Sequence, residues 1–213
     1  MLEIFDLDHT LLKCNSGVAF FRYLMKRGVF PRRMWLSAIR LYCARIFNRI
    51  SVDELHVRSF ELFLLGRYKA EVSAHVDTFL DEFLERAICF EVSSFCQRAM
   101  HLGHTVAIFS ASPDYIVEPI AERLGIERIV ATRYGTDKEG KFSHIEEVVS
   151  GRKKAFYARE LIEELNLDKS QVRAYSDSFE DWPLLKAVGG PMAIRPDKRL
   201  NLLARRRKLP ILE

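Results

Sequence analysis

From about residue 90 onwards, strand and helix patterns alternate along the chain, and this alternation limits the fold more than any other feature. Amphipathic helical segments separate short apolar runs that fit buried strands, at residues 105–109, 128–131, 172–175 and 191–194. A further apolar run, Leu2–Phe5, opens the chain. Parallel strands need crossover connections, so the pattern predicts an α/β fold: a Rossmann-like parallel sheet with helices on both faces.

The segment between the first strand and residue 90 shows only helical signals. Ser51-Val52-Asp53-Glu54 has the form of a capping box, and residues 70–86 carry apolar side chains at helical spacing. We therefore expect residues 14–88 to form an all-helical cap, inserted into a catalytic core made of residues 1–13 and 89–213.

The composition excludes several classes of protein. Hydrophobic residues make up 48% of the chain and charged residues 29%, which argues against a disordered chain. No stretch approaches the roughly 18 uncharged apolar residues that span a bilayer, and the first residues lack the basic start and apolar core of a signal peptide. The four cysteines form no Cys-x-x-Cys pair, so neither a zinc ribbon nor a redox motif is indicated. These features predict a cytoplasmic protein.

The cap segment has an uneven charge. Between Cys14 and Val52 there is no acidic residue, whereas eight residues are basic: Arg22, Lys26, Arg27, Arg32, Arg33, Arg40, Arg45 and Arg49. Such a block attracts anions. Together with the apolar and aromatic residues of 34–47 it suits either peripheral contact with an anionic membrane or a cap whose arginines steer small phosphates, the interpretation we favour. Nucleic acid is not an expected partner, and the pattern leaves the oligomeric state undecided.

Polar side chains follow three of the predicted strands. In an open parallel sheet, ligands bind beyond the carboxyl ends of the strands, so these side chains should meet at one edge. Lys153 and Lys154 begin a helix that should point to the same edge. The three clusters are Asp6-Leu7-Asp8-His9-Thr10, Ser110-Ala111-Ser112 and Ser176-Asp177-Ser178-Phe179-Glu180-Asp181. We expect four carboxylates, a hydroxyl and a lysine to converge there.

This set of groups points to phosphoryl transfer. Carboxylates that pack together raise each other's pKa, and a divalent cation removes that cost. Mg²⁺ prefers carboxylate oxygens, water and substrate phosphate, and an added lysine indicates a dianion whose charge must be screened. An ionised aspartate can attack phosphorus without a separate base. The cluster therefore predicts a Mg²⁺-dependent reaction through an aspartyl-phosphate.

The motifs resemble those of the haloacid dehalogenase superfamily, and within it the phosphoserine-phosphatase-like hydrolases of subfamily IB, which carry a helical cap after the first motif. The resemblance spans residues 2–212 and rests on Asp6-x-Asp8-x-Thr10, a strand ending in Ser110, a helix-borne lysine and Asp177-x-x-x-Asp181. It implies a phosphatase in which Asp6 is the nucleophile and a Mg²⁺ ligand. Asp8 would be the general acid and base and would bind Mg²⁺ through its main-chain carbonyl, and Asp177 would complete the metal site.

The resemblance also implies the groups that hold the phosphate. Ser110, Ala111 and the motif lysine would contact phosphoryl oxygens. Either Lys153 or Lys154 can be that lysine, and Lys154 is preferred because Ala155-Phe156 follows it as in the family. Three further residues would support the site: Thr10, Ser178 and Asp181.

Departures from the family pattern bear on the substrate. Residues 14–18 offer no acidic side chain to hold the amine of phosphoserine, and Ala111-Ser112 stands where these relatives carry Gly-Gly. His9 also stands where many relatives have Gly. The substrate is therefore expected to be a small phosphorylated metabolite or a phospholipid head group, with phosphoserine as an alternative.

Two other functions stay open at this point. The same covalent step could pass the phosphoryl group to an alcohol, which would make the protein a phosphotransferase. A basic membrane-surface binding module without activity is the alternative from another class, and the complete motifs argue against it.

Overall fold

The computed structural model describes residues 1–31, 33–47 and 49–213; Arg32, part of the basic block, lies outside them. Within these residues one sheet has seven strands in the order β4-β3-β2-β1-β5-β6-β7. Neighbouring strands run parallel except β3 and β4, which form an antiparallel hairpin. The strands are β1 (Leu2–Phe5), β2 (Thr105–Pro113), β3 (Arg128–Thr136), β4 (Phe142–Glu147), β5 (Val172–Ser176), β6 (Gly190–Ile194) and β7 (Ile211–Leu212).

Two groups of helices occupy the chain, one within an insertion and one between the strands of the sheet. The insertion contains α1 (Ser16–Lys26), α2 (Met34–Ile46), α3 (Val52–Ser59), α4 (Lys69–Ser73) and α5 (Val76–Ala87). The helices that follow are α6 (Phe90–His101), α7 (Asp114–Leu124), α8 (Gly151–Glu164), α9 (Trp182–Ala187) and α10 (Lys198–Arg207). Among the described residues, no helix is both long enough and apolar enough to cross a lipid bilayer.

Side chains of β1 alternate between two hydrophobic cores, one on each face of the sheet. Leu2 and Ile4 pack with buried residues of α8, α9 and α10, whereas Phe5 packs with those of α6 and α7. Successive side chains of a strand point to opposite faces, so a strand buried on both faces reads as an unbroken apolar run. The predicted fold class, a parallel α/β sheet with helices on both faces and an inserted helical cap, is confirmed.

The helical insertion leaves the core and returns to it at one place. Leu12 pairs with Ile88 in an isolated antiparallel bridge. The amide of Lys13 donates to the carbonyl of Ala87 at 2.7 Å, and the amide of Cys89 donates to that of Leu11 at 2.8 Å. Phe20, Phe30 and Phe63 of the insertion join the same core as Phe5. The division into a core of 1–13 and 89–213 and a cap of 14–88 stays a prediction, and these contacts fit it.

The sequence pattern missed some details. The predicted helix over 70–86 is two helices, α4 and α5, with a break at Ala74 and His75. Val72 and Val76 are both buried, so the apolar spacing continues across the break and does not reveal it. A 3₁₀ turn, Phe179–Asp181, precedes α9, and the short strand β7 was not predicted at all.

Candidate active site

The sheet order places the polar clusters together. β1 lies between β2 and β5, so the residues at the carboxyl ends of these three strands meet at one edge. After β1 the chain makes a wide turn, in which the amide of Leu12 donates to the carbonyl of Leu7 at 2.8 Å. His9 in this turn has a left-handed backbone with φ of 60°, a conformation that glycine adopts more readily than other residues. The turn presents Asp6, Asp8 and Thr10 to the sheet edge.

A buried lysine joins two carboxylates at this edge. Nζ of Lys154 lies 2.6 Å from Oδ1 of Asp6 and 2.7 Å from Oδ2 of Asp181. All three side chains are buried. Burial alone would lower the pKa of Lys154, but the carboxylates of Asp181 and Asp6 raise it above its usual value. Lys153 is exposed and pairs with Glu147 at 2.6 Å, so it is Lys154 that lies at the site.

Asp177 lies beside Asp6, with a threonine hydroxyl between them. Oγ1 of Thr10 is 3.2 Å from Oδ2 of Asp6 and 3.5 Å from Oδ1 of Asp177. Burial raises the pKa of Asp6 to about 7, with Lys154 opposing and Asp181 adding to the rise. Burial, followed by the charges of Asp6 and Asp181, raises the pKa of Asp177 to about 9. The site holds more negative charge than one lysine can balance.

These carboxylates suit a hard divalent cation. Within the described residues, no three side chains of His, Cys, Asp or Glu are grouped to hold a metal ion. Mg²⁺ does not need such a group, because it usually takes one or two carboxylates and completes its shell with water and substrate phosphate. Asp6 and Asp177, together with a main-chain carbonyl, match that donor set. Burial is the largest cause of their raised pKa values and neighbouring carboxylates add to it, so a bound cation would favour their ionised forms. The residues present therefore fit Mg²⁺.

Asp8 is held at the junction between the core and the cap segment. Its Oδ1 accepts a hydrogen bond of 2.7 Å from the amide of Ser16, at the start of α1. Its Oδ2 accepts bonds from Nδ2 of Asn15 at 3.1 Å and from Oγ of Ser112 at 2.5 Å. Oδ1 of Asn15 also caps α1 by accepting from the amide of Val18. Three hydrogen bonds thus fix where the Asp8 carboxylate lies, and the one from Ser16 ties it to the first cap helix.

Asn15 and Ser112 were not predicted as site residues. Asn15 lies in the segment after the first motif that has no acidic side chain. Ser112 stands where the family pattern has a second glycine after the serine. Both are polar residues next to the motifs, which is the one signal that the sequence offers. Their contact with Asp8 depends on how the turn after β1 folds. The structure shows that the departures from the family pattern supply hydrogen bonds to Asp8.

The other predicted residues lie close by. Oδ2 of Asp181 also accepts from Oγ of Ser176 at 2.7 Å, and Oγ of Ser178 accepts from the amide of Glu180. Ala111 and Ser178 line the central cavity. Ser110 is fully buried, is not among the lining residues, and its Oγ accepts from the amide of Ser112 at 3.0 Å. Its predicted contact with phosphate stays a prediction.

A cavity of about 730 Å³ opens above these groups. Asp6, Asp8, Lys154 and Asp177 form its polar floor. Its other wall belongs to the insertion and is mostly apolar, with Phe21, Phe30, Leu41, Phe63 and Leu64 among its residues. The site therefore has a charged side from the core and an apolar side from the cap segment.

Two further polar contacts join these sides, and neither was predicted from the sequence. Arg45 of α2 pairs with Glu180 at 2.5 Å, and both line the cavity. Nδ1 of His56 in α3 lies 2.5 Å from the hydroxyl of Tyr134 in β3, which also line it. Burial lowers the pKa of His56 to about 4, with Asp53 opposing, so the ring is neutral at physiological pH.

Comparisons with known proteins identify the family. The family model described as haloacid dehalogenase-like hydrolase matches residues 4–186. The phosphoserine phosphatase SerB1 of Mycobacterium tuberculosis is 32% identical over 210 residues, which cover 95% of this chain and 67% of that protein. A histidinol-phosphatase of Neisseria meningitidis serogroup C is 28% identical over 223 residues, covering 99% of this chain and 97% of that protein.

Among solved structures, a protein of unknown function from Bordetella pertussis Tohama I has the same fold. Its TM-score is 0.86 at 23% sequence identity, and the alignment covers 100% of this chain and 97% of that one. The family model spans most of the chain, and SerB1 is more than 30% identical over 95% of this chain. The chain belongs to the haloacid dehalogenase-like hydrolase family.

Proposed function

We propose that this phosphatase hydrolyses a phosphomonoester in a Mg²⁺-dependent reaction through an aspartyl-phosphate on Asp6. The observation that carries the proposal is the buried contact of 2.6 Å between Nζ of Lys154 and Oδ1 of Asp6, which leaves Oδ2 of Asp6 beside Thr10 and Asp177. One carboxylate is thus held by a cation at a cavity that can admit a substrate.

In the first step the carboxylate of Asp6 attacks phosphorus, and the bond between phosphorus and the leaving oxygen breaks. The leaving oxygen takes a proton from Asp8 and departs as an alcohol. The ammonium of Lys154 balances negative charge on Asp6 and on the phosphoryl oxygens, because charge neutralisation and positioning supply most of the catalysis in phosphoryl transfer.

In the second step Asp8 takes a proton from a water molecule, whose oxygen attacks the same phosphorus. The bond between phosphorus and Asp6 breaks, which restores the carboxylate and releases inorganic phosphate. The hydrogen bonds from Ser16, Asn15 and Ser112 set where Asp8 can act in both steps. Acid and base assistance of this kind is typically worth about 10²–10⁴-fold.

The carboxylates of Asp6 and Asp177 and the main-chain carbonyl of Asp8 would hold Mg²⁺. When bound, the ion supplies positive charge against the phosphoryl oxygens. Asp181 keeps Lys154 directed at Asp6, since its Oδ2 accepts from Nζ of that lysine at 2.7 Å.

The substrate is proposed to be a small phosphomonoester whose organic group has an apolar or aromatic part. Two relatives are named for small phosphorylated metabolites, phosphoserine and histidinol phosphate. Phe30, Leu41 and Phe63 on the cap wall offer an organic group van der Waals contact rather than ion pairs. Residues 14–18 carry no acidic side chain that could hold an amine near Asp8.

The substitution Asp6→Asn tests the covalent step, because it keeps the size of the side chain and removes the nucleophile. We expect the release of phosphate from p-nitrophenyl phosphate with Mg²⁺ to fall by about 10⁴-fold or more, as for other catalytic nucleophiles. Asp81→Asn is the matched control, since Asp81 is exposed on α5. Circular dichroism checks that both variants fold.

Acid-quenched wild-type protein should carry an acid-stable, hydroxylamine-sensitive phosphoryl group on Asp6, found by mass spectrometry. Retained turnover in Asp6→Asn, or a phosphoryl group on another residue, would contradict the covalent mechanism.

Chelation with EDTA should abolish turnover and added Mg²⁺ should restore it. Product analysis with a competing alcohol distinguishes hydrolysis from phosphoryl transfer.

A second experiment tests the substrate class. Phenyl phosphate and glycerol 3-phosphate both offer a phosphomonoester, but only the first has an aromatic organic group. We expect kcat/KM to be about tenfold or more higher for phenyl phosphate, the discrimination that one buried apolar group typically supplies. Because phenol is a much better leaving group than an alkyl alcohol, glycerol 3-phosphate must also be compared with butyl phosphate, an apolar ester whose leaving group is likewise an alkyl alcohol. Equal values for glycerol 3-phosphate and butyl phosphate would contradict the proposed role of the apolar wall.

A further inference from the structure

Helix α2 turns an apolar face towards solvent. The exposed fractions are 72% for Leu36, 49% for Ile39 and 70% for Phe47, and Cys43 is exposed as well. These residues are spaced three or four apart, so they lie on one side of the helix and its last turn. We call Leu36, Ile39, Cys43 and Phe47 the α2 outer stripe.

The opposite side of α2 faces the catalytic cavity. The residues of α2 that line that cavity are Ala38, Leu41, Tyr42, Arg45 and Ile46. Leu41 is the one buried residue among the thirteen of α2, all of which the structure describes. A surface helix normally turns its apolar side to the core and its polar side to water. In α2 the outer side is at least as apolar as the inner side, so packing within the chain does not account for the α2 outer stripe.

Positive charge surrounds the stripe. Arg33 and Arg49 are exposed at the two ends of α2, and Arg40 is exposed beside Ile39. The sequence from residue 14 to residue 52 has no acidic residue. Exposed apolar side chains among arginines match the make-up of helices that lie in the interface of a membrane with anionic lipids.

We propose that the α2 outer stripe docks this protein on an anionic membrane surface. The apolar side chains would enter the boundary between head groups and acyl chains, and the arginines would contact lipid phosphates. A second copy of the chain fits less well: a two-fold contact through α2 places the same surface on both sides, and so brings arginines to face arginines. The proposal does not depend on the identity of the substrate.

The test is co-sedimentation of the full chain with vesicles of phosphatidylglycerol and phosphatidylcholine, against vesicles of phosphatidylcholine alone. We expect binding to the anionic vesicles only, weakened by salt because salt screens surface charge. The double variant Leu36→Ser with Phe47→Ser should bind at least about tenfold more weakly, since apolar burial drives insertion. Arg40→Gln should bind about fivefold more weakly, the usual contribution of one basic residue near such a surface.

A matched control separates the stripe from general surface polarity. Phe90 and Leu202 lie on the core and are 79% and 74% exposed, so Phe90→Ser with Leu202→Ser makes the same kind of change elsewhere. This variant should bind vesicles as the wild type does. Because neither pair lines the cavity, both double variants should keep wild-type activity on p-nitrophenyl phosphate, which shows that they fold.

Three results would overturn the proposal. The wild type could fail to bind anionic vesicles at low salt. The two double variants could bind equally well. Light scattering could instead show a dimer that Leu36→Ser with Phe47→Ser converts to a monomer without a change in vesicle binding, which would make the stripe a contact between copies.

Discussion

The two walls of the catalytic cavity are built on different physical principles. On the core wall, Asp6, Lys154 and Asp181 are buried and held by charged hydrogen bonds of 2.6 and 2.7 Å. On the cap wall, Phe21 and Phe63 pack ring against ring, with centroids 4.5 Å apart. Charge-assisted hydrogen bonds require one geometry, whereas apolar surfaces accept a range of shapes that fill the same volume.

The difference between the two walls suggests a division of roles, in which the core wall serves the chemical step and the cap wall serves recognition of the organic group. A change on the core wall should affect every substrate, because in the proposed mechanism each has its phosphorus at Asp6. A change on the cap wall should alter which organic group is accepted. Asp8 lies where the two meet, since it is bonded both to Ser112 of β2 and to the amide of Ser16 in α1. The position of the cap segment therefore bears directly on Asp8, the proposed general acid and base.

Replacing the buried lysine should disrupt the ion pairs of the core wall. Its expected effect on activity and stability is larger than that of a change on the cap wall. Lys154→Met removes the one cation between Asp6 and Asp181 and leaves buried carboxylates without a partner. We expect kcat on p-nitrophenyl phosphate to fall by about 10³-fold, comparable to the loss of a group that stabilises transition-state charge. We expect the free energy of unfolding to fall by about 3–5 kcal/mol, the usual cost of breaking a buried ion pair.

The neighbouring lysine supplies the control. Lys153 is exposed and its bridge to Glu147 lies at the surface of α8, where ion pairs contribute about 0–1 kcal/mol. Lys153→Met should therefore keep both kcat and the urea midpoint close to those of the wild type. Loss of activity in Lys153→Met together with retained activity in Lys154→Met would contradict the role of Lys154 in the core wall.

The same contrast explains what could be predicted from the sequence. The core wall follows from strand ends: β1, β2 and β5 have clear apolar patterns, and topology brings Asp6, Ser110 and Asp177 to one edge whatever the details of the loops. The preference for Lys154 over Lys153 rested on the residues that follow them, and the structure places Lys154 against Asp6. Such contacts require the strand ends to meet at one edge of a parallel sheet, which the alternation of strand and helix predicts.

The cap wall could not be predicted in the same way. Its helices were recognised, but periodicity does not fix how short helices pack against each other. The pair of His56 and Tyr134 joins residues 78 positions apart in sequence, and that of Arg45 and Glu180 joins residues 135 apart. Nothing in the local pattern of α2 shows which of its faces lies over the cavity. Only packing decides that Leu36 faces water and Leu41 faces the site.

Protonation of His56 should destabilise the packing of the cap wall. The expected loss in the free energy of unfolding is smaller than that caused by the loss of Lys154. His56 is a polar group in an apolar surface, and burial holds its pKa at about 4. In the unfolded chain the pKa of this histidine is about 6.5. As the pH falls below that value, the unfolded state therefore binds a proton that the folded state does not bind. The contribution to stability is complete above pH 6.5 and is lost progressively towards pH 4. We expect a loss of about 2 kcal/mol between pH 7.5 and pH 5.

Urea denaturation at these two pH values measures that loss, and the variants isolate its source. His56→Gln keeps a hydrogen-bonding side chain beside Tyr134 but cannot be protonated, so its stability should change less with pH than that of the wild type by about 2 kcal/mol. His101→Gln makes the same substitution at an exposed histidine of α6, outside the cavity, and is the matched control. If His56→Gln and the wild type respond equally to acid, His56 is charged or hydrated in the folded protein, and the cap wall is more polar than its lining residues indicate. The discrimination against polar organic groups would then have to come from shape alone.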